Sequence, residues 1–163
     1  MDSVDYAICV LPVLAALDVV STLYVASLGV SLFYYEAGFF ARLAVISGLI
    51  GVYAVVYVLI VVGFAYFLWR VKNRMLSPLD FGDKLLFLSL VGAVCYMYIT
   101  LAVAVIGNFF LPHIVRRGVS VFSFNALVYF GSALGLFLFL YGDVVAWLRG
   151  DIKHEQGRRP QNL

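Results

Sequence analysis

Charge is scarce in this chain: eleven Lys and Arg and nine Asp and Glu make up only 12% of its 163 residues. A domain facing water on all sides carries about 25%, so half of the usual polar coat is missing and a soluble surface is excluded. The net charge is only +2, and its positive residues are split among several segments, which argues against a nucleic-acid partner. Histidine and cysteine are scarcer still, two of each: His113 and His154, Cys9 and Cys95. The cysteines have no C-x-x-C or metal-ligand spacing and no imidazole pair falls within an apolar run, so neither a metal nor a cofactor is expected. There is no P-loop, dinucleotide-binding glycine pattern or H-E-x-x-H. A Ser-His pair and a multi-aspartate Mg²⁺ motif are also missing. Enzyme chemistry is therefore the less favoured class.

What fills the space is apolar residue, 64% of the chain, with a mean hydropathy of +1.04. It falls into four runs, roughly 6–28, 43–69, 85–110 and 121–148. Each exceeds the ~18 residues that mark a membrane span, and at about 1.5 Å per residue each can cross a hydrocarbon core of ~30 Å. Stretches such as "VYAVVYVLIVVGFAYFLW" do not alternate as barrel strands would. The expected fold class is all-α, a polytopic membrane bundle of four transmembrane helices over 1–148, with a polar tail over 149–163. The lipid bilayer is the first expected partner, with a homo-oligomer or a larger membrane complex as a further one. The first run has no Lys or Arg before it. It lacks the basic n-region of a secretory signal and is expected to be retained.

The cations set the expected orientation. Arg70, Lys72, Arg74 and Lys84 lie between runs two and three, and Arg149, Lys153, Arg158 and Arg159 follow run four. Arg42, Arg116 and Arg117 fall on the other side, eight against three. The positive-inside bias then places both termini in the cytoplasm and the chain in the cell (inner or plasma) membrane. Asp80 and Asp83 after Ser77-Pro78 offer cap and turn chemistry before run three, and Pro112 and Gly118 are expected to break the chain before run four. Trp69 and Trp147 are expected in an interfacial belt on the cytoplasmic side.

One residue stands against this background. Asp18 lies inside the first run, where an Asp at helix centre costs about 2.5 to 3.5 kcal/mol to insert. At 100° per residue, Leu14, Ala15, Ser21, Thr22, Val25 and Gly29 share its face, which is small and partly hydroxylated. Such a face belongs at a helix interface or cavity wall. Three roles are open to the carboxyl: a structural bond between helices, a proton- or cation-binding group, or an acid or base in catalysis. On run four, Asn125, Ser132 and Asp143 fall within about 20° of one another, so Asn125 and Ser132 are candidate polar-core partners for Asp18, Ser21 and Thr22. Asp143, near Arg149, is expected to form a local ion pair. In the outer loop "YYEAGFFAR", Glu36 and Arg42 are either a surface pair or a gate above Asp18.

Asp18-x-x-x-Thr22, then Gly29 and Glu36, resembles a family of uncharacterised small prokaryotic four-helix membrane proteins whose first helix carries D-x-x-x-T followed by E-x-N-P. Gly38-Phe39 stand here in place of Asn-Pro. That resemblance implies the four-helix fold and no activity. The segment "LDVVST" is also similar to the first helix of small multidrug resistance exporters, where an acid four residues before a Thr exchanges protons for cationic drugs. It implies the matching roles for Asp18 and Thr22, although this chain is longer and has Asp in place of Glu. Two functions follow as expectations: a small proton- or cation-coupled transporter or channel, or an accessory membrane subunit in which Asp18 is an assembly contact. A lipid-modifying enzyme is the third.

Overall fold

The computed structural model describes residues 2–28, 39–75, 80–115, 117–118 and 120–150. Within them the chain is all-α: α1 Ser3–Ser27, α2 Phe39–Ile46, α3 Ile50–Lys72, α4 Phe81–Val115 and α5 Val121–Arg149. Four of these, α1, α3, α4 and α5, are long and apolar enough to cross a membrane. Gly29, Glu36, Ser77, Pro78 and the tail from Asp151 lie outside the described residues.

The second apolar run, expected to be one helix from residue 43, is two. Its first part, α2, ends in a Schellman closure: Leu49 N–H bonds the Ala44 carbonyl at 2.8 Å and Gly48 N–H the Val45 carbonyl at 3.2 Å. Gly48 has φ +68°, a left-handed turn that glycine makes without Cβ strain. Hydropathy does not register such a break, because Ser47 and Gly48 barely lower the mean of their window. Pro112 likewise fails to end its helix. It sits within the last turn of α4, which takes in His113 and runs on to Val115. Near a C-terminus a proline removes one backbone donor while few later bonds depend on it.

α1 is the centre of the arrangement, packed along α4 and α3, with α5 lying on α4 and reaching α1. The reason is side-chain size and polarity. The inward face of α1 is Val4, Ile8, Leu11, Ala15, Ser21 and Val25, all buried, whereas Val20 and Leu23 on the opposite side are exposed. Against it, α3 presents Val61, Ala65 and Leu68, and α4 presents Phe87, Leu90, Val94 and Leu101. α3 and α5 turn large apolar residues outward, among them Leu59, Ile60 and Phe67 and then Phe122, Phe130 and Leu138. An apolar exterior of that extent is not that of a water-dispersed monomer.

Polar residues close both ends of the α1–α3 seam. At one end Lys72, 1% exposed, pairs with Asp2 at 2.7 Å and with Asp5 at 2.5 Å. Asp2 caps α1, its carboxylate accepting from Asp5 N–H while Asp5 accepts in return from Asp2 N–H. The indole N–H of Trp147 donates to the other Asp2 oxygen at 3.0 Å, and its ring stacks on Phe87 with centroids 5.0 Å apart. Trp147 is thus fully buried and outside any interfacial belt, because Asp2 supplies the partner its N–H needs. Asp143 accepts from Ser3 N–H at 2.5 Å, one of the first-turn donors of α1 that have no partner within the helix, and makes no ion pair with Arg149. This clasp draws on all four long helices.

Candidate functional site

The other end of the seam holds Asp18. The α1 spacing of three and four places Asp18, Ser21 and Thr22 on the face turned to α3 and α4. On α3 the buried register Lys72, Leu68, Ala65 and Val61 continues to Tyr57. From Lys72 to Tyr57 is about 22 Å along the helix and from Asp5 to Asp18 about 20 Å. Two antiparallel helices pinned at Lys72–Asp5 therefore meet again at Tyr57–Asp18.

The Tyr57 hydroxyl donates to Asp18 Oδ2 at 3.2 Å. From α4, the Asn108 amide nitrogen faces three acceptors: Ser21 Oγ at 2.9 Å, Thr22 Oγ1 at 3.1 Å and Asp18 Oδ1 at 3.4 Å. An NH₂ group carries two hydrogens, so the two shorter bonds take them and Asp18 receives the weak third contact. Ser21 turns its own proton back to the Asp18 carbonyl at 2.8 Å, leaving its lone pairs for Asn108. Ser21 is fully buried and Asn108 is 8% exposed, whereas Asp18 is half-buried. The carboxyl is held by a phenol and an amide, both uncharged, and no salt bridge reaches it among the described residues.

Pro112 adds a further oxygen. Residue 112 would ordinarily donate its N–H to the carbonyl of residue 108, and proline has none. The Asn108 carbonyl therefore lacks its ordinary helical donor about two turns before the end of α4. Further along, the Tyr24 hydroxyl and His113 Nε2 lie 2.8 Å apart, with the Phe109 ring 5.5 Å from that of Tyr24. Tyr24 is about 9 Å beyond Asp18 along α1. Polar groups thus continue from Asp18 toward the α1 C-terminus, while the opposite direction is closed by Leu11, Ala15, Val61 and Leu101.

Asp18, Ser21 and Thr22 are thus in one hydrogen-bonded group. Asn125 and Ser132 are half-buried on α5 and bond none of its members. Arg42 is exposed on α2 and makes no ion pair with Asp18; Glu36 falls outside the described residues. Two members went unread in the sequence, Asn108 and Tyr57. The signal for Asn108 was available: it is the sole amide within its apolar run, four residues before a proline. No group of three or more metal-ligating side chains occurs among the described residues.

Comparison with known proteins adds no further constraint: no family model matches the chain, and neither curated proteins nor solved structures give a match.

Proposed function

We propose that this chain is a multi-pass membrane protein in which Asp18 binds a proton or a small monovalent cation, as the working site of a small transporter or channel. One observation carries the reading. A carboxyl about 22 Å into a helix of spanning length is bonded by a phenol from α3, meets an amide from α4 more weakly, and faces no charged donor among the described residues. In a bilayer an ionised carboxylate so placed needs a counter-charge, so it exists either with a proton or with a bound cation. Exchange between those two occupants is the elementary step of coupled transport. The neighbouring oxygens suit either occupant: the Asp18 carboxylate and the hydroxyls of Ser21 and Thr22, which share the Asn108 amide with it. Access would come from the side of Tyr24 and His113, whose hydrogen-bonded polar atoms lie beyond Asp18 toward the α1 C-terminus. By the positive-inside bias that side is the outer one, with the clasp and both termini cytoplasmic. Removing the neutralised Lys72 from the count still leaves seven cations against three.

The test is an infrared carboxyl band in vesicle-reconstituted protein. The band that Asp18→Asn removes is expected to titrate with pH and to respond to added Na⁺ or K⁺, and pH-driven uptake is expected to vanish in the same variant. A carboxyl band indifferent to both pH and cations sinks the proposal. A second reading, a structural bond between helices, is favoured by the Asn108 amide facing three α1 acceptors. On that reading Asp18→Asn leaves flux unchanged and Asn108→Leu loosens the α1–α4 contact.

A further inference from the structure

Two residues before Lys72, Arg70 is in the opposite situation. It projects about 200° away around α3, is exposed, and makes no ion pair among the described residues. Its guanidinium donates to the Tyr66 hydroxyl at 3.4 Å, and the Tyr66 ring lies 6.1 Å from that of Trp69. Beneath this trio an open groove of about 390 Å³ runs between α1 and α3, walled by Cys9 and Pro12 on one side and by Val62, Ala65, Tyr66 and Trp69 on the other. Its walls are almost wholly apolar, and its size falls in the ~300 to 1,000 Å³ range of small-molecule sites.

We infer that this groove binds one anionic phospholipid of the cytoplasmic leaflet, an acyl chain lying between α1 and α3 and the phosphate on Arg70. The inference rests on the membrane reading above but not on the role of Asp18. Three features select this occupant. Arg70 stands level with the clasp at the helix ends, where headgroups lie, and its planar donors match a phosphate. Tyr66 and Trp69 are the aromatic types that favour headgroup depth. A second copy of the chain would have to bring an acid to Arg70. Among the described residues, however, Asp2, Asp5, Asp18 and Asp143 are already bonded within the fold, and Asp80 and Asp83 belong to the start of α4. The outward faces of α3 and α5 carry no acid to offer.

The two tryptophans make the site readable. Trp69 is exposed at the groove, and Trp147 is fully buried. The full chain is reconstituted in phosphatidylcholine vesicles, with brominated-acyl phosphatidylglycerol or brominated-acyl phosphatidylcholine as the minor lipid at equal mole fraction. Trp69 fluorescence is expected to be quenched as though the phosphatidylglycerol were enriched about five-fold beside it, the equivalent of about 1 kcal/mol per cation near an anionic headgroup. Arg70→Gln is expected to bring the two lipids to parity while Trp147 emission stays unquenched. Equal quenching by both lipids in the unaltered protein overturns the inference, and needs no variant to fold. Quenching by neither lipid that is independent of protein density overturns the membrane reading instead. Protection of Trp69 that grows with protein density overturns the lipid in favour of a second copy.

Discussion

At one end of the α1–α3 seam a buried lysine meets two carboxylates; at the other a half-buried carboxylate meets a phenol and an amide. Both sites arise from the same two helix faces, about 20 Å apart, and both tie α1 to its neighbours. They differ in charge balance. The clasp contains its own counter-ion: Lys72 faces Asp2 and Asp5. Burial acts to raise the Asp2 carboxyl, but the bonds from Lys72, Asp5 N–H and Trp147, with the Lys72 charge, hold it below the ordinary carboxylate range. That arrangement is a stable, charged end point. The Asp18 group brings hydrogen bonds from neutral donors and no balancing cation among the described residues. On the proposed reading, the completed electrostatic site holds the structure and the other is where a proton or cation would be exchanged.

The largest way to break this contrast is Lys72→Met. Removing one partner from a buried ion pair costs about 3 to 5 kcal/mol, and here two carboxylates are left behind. Unfolding in mixed micelles is expected to show a loss of that order, largely recovered when Asp2→Asn and Asp5→Asn are added. Acidification is the next lever. Because the Asp2 carboxyl is lowered in the fold, its contribution is complete above the ordinary value of about 3.9 and is lost as pH falls through the lower folded value. Thermal stability is therefore expected to stay level on this account from neutral pH down to about 4 and to fall below it. In Lys72→Met, where burial is no longer opposed by the lysine, that acid-side loss is expected to shrink or reverse, because a carboxyl raised by burial binds its proton more tightly in the fold. Asn108→Leu is expected to cost about 1 to 3 kcal/mol, since Ser21 is fully buried and loses its donor. Smallest is Tyr57→Phe, near 0.6 kcal/mol, the average for such bonds in membrane bundles. Its sharper readout is a change in Asp18 proton or cation affinity, which a merely structural phenol would not produce.

The face of α1 was legible because it is periodic. Ala15, Asp18, Ser21, Thr22 and Val25 follow from 100° steps, and all of them lie inward. Which helix lies opposite is a tertiary fact that periodicity does not carry. Asn125 and Ser132 form as good a polar face as any, but the hydrogen-bonded partners of α1 at that height come from α3 and α4. Tyr57 reads as packing until Lys72 is seen to share its register, which makes the two residues markers of a single seam. The clasp escaped for a different reason. Charges at the ends of apolar runs read as solvated loop, and only the Asp2-x-x-Asp5 capping spacing hints that they are bound. The break at Gly48 shows the limit of averaging, since one backbone angle divides a run that hydropathy joins.

Asp2 and Trp147 are 145 residues apart in the chain yet share one hydrogen bond. A ribosome therefore delivers the carboxylate first and its indole donor last. Until α5 is inserted, the Phe87 ring is uncovered and the α1 N-terminus lacks its Asp143 acceptor. A product stopped short of the fifth helix carries an unfinished polar junction at the start of α1, with the Asp2 carboxylate and the Ser3 N–H each short of a partner.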